Sequence, residues 1–343
     1  MASKYNAINF LLLCGLFLCI AISTGMGYIK IPVPDVLKII AYRITGDESL
    51  ISNLNHVYPY VIWDVRLPRI LASAIVGAGL SICGAVFQAI LLNPLADPYT
   101  LGISAGAAFG GSISLFLDIR WFGIYSTSIF AFTGAIGTLI AVISISRASG
   151  SISSHTLILS GIIVSAILSA FISFIKYIAD EHVAVLIFWL MGSFVSKSWE
   201  EVITTFSLVG FGFVIFMLLA RDLDIISLGD RTASSLGINP EAVRLLLLVS
   251  ASVVTAGCVA ISGIIGFVGL VVPHLMRSFV GSNAERLIPA SAIAGALLLM
   301  VADTITRAVL PKEVPIGVIT AIIGGPFFCY IFVKRSSMSV HER

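Results

Sequence analysis

Long apolar runs alternate with short polar breaks along this chain of 343 residues. A helix needs about 20 apolar residues to cross the hydrocarbon of a bilayer, and these runs fit about ten crossings. The pattern therefore predicts an all-α polytopic membrane protein with about ten transmembrane helices. The predicted spans cover residues 8–28, 66–92, 99–117, 124–145 and 156–178, then one that ends at 220, then 243–260, 264–280, 287–308 and one that ends at 333.

Three stretches need a different interpretation. The run Val183–Phe194 is apolar but too short to cross, which is typical of a re-entrant or interfacial helix. The segment Ile31–Tyr60 is more polar, and within it Asp35–Tyr42 predicts a short amphipathic helix at the surface. Lys4 and the apolar run behind it have the pattern of a signal peptide, but the many later runs favour an uncleaved first span.

Charged residues concentrate between the sixth and seventh predicted spans. We call this stretch, Arg221–Arg244, the polar island. Its charged residues are Arg221, Asp222, Asp224, Asp230, Arg231, Glu241 and Arg244. Each charge at the centre of a bilayer costs about 2.5–3.5 kcal/mol, so we expect the polar island to lie in water between two spans.

Local signals predict order inside the polar island. Asp230 is placed to cap a short helix over Arg231–Leu236, and Gly237 suits the left-handed position just past its end. Asn239 and Pro240 then begin another helix, as its cap and its first-turn residue. Such a surface helix could serve as a binding site for a partner protein. On spacing alone, a solvated connecting loop is the alternative.

Composition supports a membrane location and limits what else the chain can be. Hydrophobic residues make up 58% of the chain and charged residues 11%, against about 25% charged residues in soluble domains. We therefore expect residues 1–343 to form a single transmembrane domain. The net charge of +2 does not indicate a basic surface for binding nucleic acid. The five cysteines lie in apolar runs, without the spacing of a metal site or a disulfide framework.

Charge bias does not orient the chain in the membrane. The 20 Lys and Arg residues divide equally between the two sides of the predicted topology. The positive-inside rule therefore leaves the orientation open. Either the outer face is unusually basic, or the orientation is inverted; a basic outer face would suit an acidic partner.

Small and polar residues within the spans indicate how the helices meet. Glycine and alanine allow close helix contact, and they recur on the second and third spans. These residues are Gly77, Gly79, Gly84, Ala85, Gly102, Gly106 and Gly110. Asp303 lies one turn before Arg307 and is predicted to pair with it. Gln88 and His274 are interpreted as helix-to-helix hydrogen-bonding residues.

The sequence carries no energy source of its own. It has no P-loop of the form G-x-x-x-x-G-K-[ST], no H-E-x-x-H motif and no Cys/His cluster. We therefore expect no catalytic residue, no metal and no cofactor. Scarce acidic residues within the spans disfavour an ion-coupled secondary transporter, which stays as the alternative. An intramembrane enzyme or a structural membrane protein is a third possibility.

Several stretches together resemble the permease subunits of type II ABC importers, which take up ferric siderophores, haem, vitamin B12 and related metal chelates. The matching segments are Arg66–Arg69, Gly77–Gly106, Leu228–Gly237, Gly263–Arg277, Gly295–Arg307 and Val314–Pro326. They follow the family's order through most of the chain. The resemblance implies a BtuC-like permease fold of ten spans with both ends in the cytoplasm.

The resemblance also implies partners for this chain. An ATP-binding cassette ATPase subunit would lie on the cytoplasmic face, and an extracytoplasmic substrate-binding protein would dock outside. A second permease copy, in a homodimer, or a paralogue would enclose the central path. The expected location is the bacterial or archaeal cytoplasmic (inner) membrane, where the lipid bilayer surrounds the spans.

Three groups of residues take roles from the same resemblance. The coupling helix that fits the ATPase would lie at Leu228, Gly229, Asp230, Arg231, Ala233, Leu236 and Gly237. Docking of the binding protein's glutamates would use Arg66, Arg69 and Arg307, although arginines at a membrane edge also snorkel to headgroups. The cytoplasmic gate would lie at Asn93, Leu95, Ser153, Ser154 and His155. His155 departs from the family pattern, since it is bulkier and titratable.

The implied mechanism links these three groups. A loaded binding protein docks outside, cargo enters a cavity between two permease copies, and ATP closes the ATPase dimer below. That closure moves the polar islands and switches the gate, with no covalent chemistry on this chain. A ferric siderophore is the first expectation for the cargo because it is the family's commonest one. Vitamin B12 and haem come next, and oxyanions such as molybdate stay open.

Overall fold

The structure is a computed structural model that describes residues 2–150, 152–310 and 313–341. In these ranges the chain forms fourteen helices and no strand. The helices are α1 Ala2–Gly25, α2 Val33–Thr45, α3 Val57–Ile90, α4 Ile103–Phe116, α5 Ser126–Ala148, α6 Ser154–Ile178, α7 Val183–Leu190, α8 Trp199–Leu218, α9 Ala220–Ile226, α10 Asp230–Ser235, α11 Pro240–Ser262, α12 Val268–Val280, α13 Ala284–Ala308 and α14 Ile316–His341.

The lengths of the helices confirm the predicted all-α membrane architecture. In the described part of the chain, seven helices are long and apolar enough to cross a bilayer: α1, α3, α5, α6, α8, α11 and α13. Three shorter apolar helices lie at α4, α12 and the first half of α14. Together they occupy the ten positions that the apolar runs predict. The surface helix predicted at Asp35–Tyr42 is α2, which buries Val36 and Ile39 and ends at Gly46.

Helix α3 lies at the centre of the fold, packed by α8, α11, α12 and α13. Glycines set two of these contacts. A Cβ on Gly77 would overlap the Gly295 carbonyl of α13, and one on Gly84 would overlap the Gly269 carbonyl of α12. The small residues predicted on this span therefore do allow neighbouring backbones to approach.

The predicted start of the second span is confirmed for its regular α-helical part, which begins at Leu67 with Pro68 in its first turn. Helical backbone nevertheless extends back to Val57, so that α3 is longer than predicted. Proline lacks a backbone donor and its ring clashes with the carbonyl of the preceding turn. A π-helical turn over Val61–Arg66 immediately precedes Pro68, and this wider turn accommodates the ring without ending the helix.

The third predicted span begins later than the sequence suggested. Turns cover residues 91–102, and α4 begins at Ile103 after Gly102, whose φ is +75°. Gly102 therefore belongs to the turn, while Gly106 and Gly110 lie on α4. A Cβ on either helical glycine would overlap the backbone of α5, so these two glycines fix the contact between α4 and α5.

The short apolar run after α6 folds as α7 and then joins two other chain breaks. Ser193 N–H donates to the carbonyl of Ser262 at 2.8 Å, where α11 ends. Ile316 N–H donates to the carbonyl of Gly192 at 3.0 Å, where α14 begins. Non-helical backbone in a membrane protein needs partners from the protein itself, and the break after α7 supplies partners for the other two.

Helix α13 separates two ends of the molecule. Its first turn contacts the polar island, through Glu285 and the backbone of Ala284. Its last turns contact the start of the central helix, through Asp303 and Arg69. A helix of 25 residues is about 37 Å long at 1.5 Å per residue, so the polar island and the predicted docking arginines lie at opposite ends.

Candidate functional site

The polar island is ordered, and two polar contacts fix it to α13. The carboxylate of Asp224 accepts the N–H of Ala284 at 3.0 Å and the side-chain amide of Asn283 at 3.1 Å. Arg221 pairs with Glu285 at 3.1 Å. Asp224 thus caps the first turn of α13 from a different helix, satisfying one of the backbone donors that a helix start leaves free.

Asp230 does not cap the short island helix as predicted, whereas the predicted roles of Gly237 and Asn239 after that helix are confirmed. Asp230 is the first residue of α10, and Gly229 precedes it at φ +109°. The Asp230 carboxylate accepts a bond of 2.6 Å from the buried guanidinium of Arg244 instead of capping the helix. Gly237 has the expected left-handed backbone, with φ +82°, and Asn239 caps α11 by accepting the N–H of Ala242.

Helix α10 buries one predicted coupling residue and presents others to the surface. Ala233 is fully buried and holds the helix against the protein. Arg231 is exposed, and two apolar side chains beside it, Leu228 and Leu236, are 69% and 62% exposed. Exposed leucines that flank a helix in water form an apolar contact surface, and no described residue of this chain covers it.

The carboxyl of Asp224 has an unusual environment for an island residue. Its partial burial raises its pKa above the ordinary aspartate value. The N–H of Ala284 favours the ionised form and opposes that rise, and the charge of Glu285 adds to it. The protonation state of Asp224 therefore bears directly on the contact between α9 and α13.

The predicted docking arginines meet at the opposite end of α13. We call Arg66, Arg69, Arg307, Asp303 and Glu313 the arginine cluster. Within it, Nε of Arg69 donates to Asp303 at 2.9 Å and its NH1 donates to Glu313 at 3.0 Å. The pairing predicted between Asp303 and Arg307 is wrong: Asp303 is fully buried and faces α3, so its ion-pair partner is Arg69.

The other two arginines of the cluster bind the turn after α1. Arg66 is buried and donates to the carbonyls of Thr24, at 2.9 Å, and of Ile29. Arg307 is partly exposed and donates to the carbonyl of Ser23, at 2.7 Å. Both guanidinium groups approach Gly27 where a Cβ would lie. In this conformation Arg66 and Arg69 are thus engaged inside the chain, and Arg307 is the more accessible of the three.

The two predicted gate segments are neighbours in the structure. Asn93 accepts the N–H of Leu95 at 3.0 Å, which closes the turn after α3. Ser153 caps α6, and the hydroxyl of Ser154 donates to the carbonyl of Ile90 at 3.1 Å, so the start of α6 is joined to the end of α3. His155, which departs from the family pattern, is exposed.

Residue Asp97 completes the turn between α3 and α4. One of its carboxylate oxygens accepts the backbone N–H groups of Tyr99 and Thr100, each at 3.0 Å. Burial nevertheless raises the pKa of Asp97 to about 6, because desolvation outweighs those two bonds. Asp97 lies four residues after Asn93, in the same turn as the predicted gate residue.

Gln88 forms the helix-to-helix hydrogen bonds that the sequence suggested. Its amide donates to the carbonyls of Gly269 and Leu270, at 3.3 and 3.2 Å, and its oxygen accepts from Arg277 at 2.6 Å. The end of α3 is thereby joined to α12. Sequence reasoning did not single out Glu313, which lies 244 positions from its partner Arg69, so no local spacing could indicate that contact.

One short stretch of the sequence matches an enzyme motif, but its serine lacks a neighbouring base among the described residues. Residues 102–106 read G-I-S-A-G, which fits the G-x-S-x-G pattern of hydrolase nucleophiles. Ser104 lies in the first turn of α4, and its hydroxyl makes no hydrogen bond to a base among the described residues. A serine nucleophile requires a neighbouring base, so the match does not indicate hydrolysis.

Comparison with known proteins agrees with this geometry. The FecCD transport family matches residues 15–334 of the chain. The molybdate import system permease protein MolB of Haemophilus influenzae is 36% identical over 342 residues, which cover 99% of each chain. The Fe(3+)-citrate import system permease protein YfmE of Bacillus subtilis is 36% identical over 306 residues, 86% of this chain and 91% of the relative. A solved inward-facing structure, assigned to the metal-chelate type of ABC transporter, aligns with a TM-score of 0.84 at 34% identity over 96% of this chain and 99% of that chain.

Proposed function

The chain belongs to the FecCD transport family, and from that premise we propose that it is the permease of an ABC importer for a metal chelate. It crosses the membrane several times and provides the path, while a separate ATPase subunit supplies the energy. The observation that carries the proposal is the exposed apolar surface of α10, with Leu228 and Leu236 beside Arg231 and with Ala233 buried beneath. We propose that this surface binds the ATPase.

The contacts of the polar island would allow it to transmit a movement of the ATPase to the membrane-spanning helices. Helix α10 is held by the pair of Asp230 with Arg244, and α9 is held to α13 by Asp224. A displacement of α10 therefore acts on helices that cross the membrane. We propose that it reaches the gate through Arg244, whose guanidinium also lies 3.5 Å from the carbonyl of Ile152, next to the start of α6.

The arginine cluster is proposed as part of the outer docking surface. Arg307 is partly exposed and is therefore the first candidate to meet a glutamate of the binding protein. Arg66 and Arg69 are engaged internally, so their contribution would be to hold the turn after α1 and the segment around Glu313 in place. Charge pairs at such a rim give register and on-rate more than affinity.

The cargo is proposed to be a ferric chelate of the siderophore or citrate type. The similarity to YfmE and to the metal-chelate transporter structure supports a chelate, and the similarity to MolB keeps molybdate as the competing cargo. Vitamin B12 and haem are the further cargoes to compare. A second copy of this chain, or a paralogue, would complete the central path.

ATP-driven uptake tests the proposal. The chain is reconstituted in proteoliposomes with its candidate ATPase and binding protein, and labelled ferric siderophore, ferric citrate, molybdate, vitamin B12 and haem are offered in parallel. We expect uptake of one cargo to require ATP and to be abolished by Leu236→Asp, because the charge disrupts an apolar contact. The same variant is expected to lose co-purification with the ATPase while its melting temperature changes little.

Leu37→Asp is the matched control for this experiment. Leu37 is also a largely exposed leucine on a surface helix, but it lies on α2, away from the polar island. It is expected to keep the ATPase subunit bound. Uptake that an ion gradient drives without the ATPase would refute the importer and support a secondary transporter instead.

A further inference from the structure

A cavity with a mixed polar and apolar lining lies between α4, α6, α7 and the linker that joins α11 to α12. Its volume is about 320 Å³. The polar side chains that line it are Tyr99, Ser104, Ser169, Ser173 and Lys176. This composition differs from the large apolar grooves on the outside of the helix bundle, such as the one between α5, α8 and α11, which the surrounding lipid can fill.

The cavity begins partway across the membrane and extends to the end of α6 that carries Lys176. Gly161 and Ser165, seven and eleven residues into α6, contact the turn just before α4, at Leu101 and Gly102. At 1.5 Å per residue, α4 therefore begins about 10–17 Å along α6. Since Ser154 joins the start of α6 to the end of α3, the cavity extends from mid-depth toward the end that carries the arginine cluster. Binding sites of membrane transporters occur at such depths, beside interrupted helices.

Several hydroxyl groups in and beside this cavity are available to a ligand. Ser104 is 1% exposed, and its hydroxyl lies near that of Tyr99, which also approaches the backbone of Ile265. Within the described residues neither hydroxyl makes a contact with the distance and angles of a hydrogen bond. The hydroxyl of Ser165, one turn before Ser169, likewise makes no hydrogen bond within the described residues. Buried polar groups are normally hydrogen-bonded, so a row of unused hydroxyls indicates a place where water or cargo supplies the partner.

Lys176 sets the charge of the cavity. No carboxylate in the described part of the chain lies within ion-pair distance of its ammonium group, in contrast to Arg69 and Arg244, which both have acidic partners. Asp97 lies close to Tyr99 in the cavity wall, and one of its oxygens already accepts two backbone N–H groups. Lys176 lies in the last turn of α6, so its ammonium group stands at the end of the cavity where a cargo would enter or leave the span.

We propose that this cavity binds an anionic, oxygen-rich part of the cargo as it passes through the protein. The ammonium of Lys176 supplies the opposite charge, and the hydroxyls of Tyr99, Ser104 and Ser169 donate hydrogen bonds to carboxylate, phenolate or oxyanion oxygens. The hydroxyl of Ser173, which donates to the carbonyl of Ser169 at 2.9 Å, would have to turn away from that carbonyl to join them. The inference rests on the proposed function, and it adds a preference for anionic over neutral or cationic cargo that belongs to the permease itself.

Equilibrium dialysis of the purified full chain in nanodiscs tests the cavity without ATPase or binding protein. The probes are ferric citrate and molybdate as anions, ferrioxamine B as a cation and cyanocobalamin as a neutral molecule. We expect the wild-type chain to bind at least one anion saturably. Lys176→Gln should weaken that binding at least tenfold, and Lys176→Arg should restore most of it, with no matching change for the other two probes. Lys38→Gln, on the surface helix α2, should have no effect.

Two results would overturn the cavity proposal. One is the absence of saturable binding of either anion by the wild-type chain; the other is an equal loss of all probes in Lys176→Gln, which would indicate a structural lysine. Stimulation of the ATPase by the loaded binding protein is measured in the assembled complex in parallel. If that stimulation is present while Lys176→Gln leaves anion binding and uptake unchanged, the cavity proposal fails and the importer stands; if it is absent, the importer fails.

Discussion

The two ends of α13 carry the same chemistry in opposite settings. At one end, Arg69 pairs with Asp303 at 2.9 Å, and the two side chains are 9% and 0% exposed. At the other end, Arg221 pairs with Glu285 at 3.1 Å, and these side chains are 86% and 45% exposed. Distance alone would rank the two ion pairs as equals, and only burial distinguishes them.

The difference in burial distinguishes charged residues that hold helices together from charged residues that a partner could bind. A buried pair costs several kcal/mol to break because the partner that is left behind stays out of water, whereas an exposed pair contributes about 0–1 kcal/mol. The arginine cluster is therefore committed to holding α3, α13 and the segment around Glu313 together. The polar island is held more lightly, so its charges and leucines stay free for a partner.

The largest expected effect comes from breaking the buried pair. Asp303→Asn removes the charge opposite Arg69 and should lower the free energy of unfolding by about 3–5 kcal/mol. Thermal unfolding of the detergent-solubilised chain measures the loss. Glu313→Gln is the matched control: it removes the other acid bound to Arg69, but Glu313 is 45% exposed, so the change should stay below about 1 kcal/mol.

Replacing both partners sharpens the same test. The double variant Arg69→Met with Asp303→Leu leaves no unpaired charge and should recover most of the stability that Asp303→Asn loses. If Asp303→Asn unfolds at the wild-type temperature, the buried pair does not hold this end of the molecule. The comparison between the two ends would then fail.

An intermediate effect is expected at the one island pair that is half-buried. Arg244 is buried while its partner Asp230 is 56% exposed, so water can solvate Asp230 when the arginine is removed. Arg244→Met should therefore cost about 1–2 kcal/mol and speed amide hydrogen exchange in α10. Arg231→Met, on the exposed side of the same helix, is the control and should change stability by less than about 0.5 kcal/mol. Equal losses in both variants would mean that burial does not decide the strength of island contacts.

Sequence reasoning succeeded where the relevant signal is local. Apolar length predicts the ten helical positions, and Asn239 and Gly237 are identified correctly because a cap bonds to residues only a few positions away. The extension of α3 back to Val57 was missed because Pro68 is an ordinary start signal, and only the π-helical turn before it lets helical backbone continue past the proline.

The sites were harder to predict because their contacts join distant parts of the chain. Asp303 has an acceptable partner one turn away in Arg307, yet it pairs with Arg69, 234 positions away, since its side chain faces α3. Asp230 likewise has the right residue type for a cap and is used by Arg244 instead. A single sequence gives the chemistry at each position but not which positions meet.

The smallest expected effect is a pH dependence at the contact between α9 and α13. The pKa of Asp224 is raised mainly by burial, so folding favours its protonated form. The stability that this preference contributes is full below the ordinary aspartate pKa near 4 and is lost as pH rises through the higher folded value. Because the carboxyl is only partly buried, we expect the loss to stay under about 1 kcal/mol.

Melting temperatures measured from pH 4 upward should fall slightly more for the wild type than for Asp224→Asn, which keeps an oxygen to accept the N–H of Ala284. Glu241→Gln, an exposed acid of the same island, controls for surface charge, and a steeper fall in Asp224→Asn than in the wild type would reverse the assigned sign.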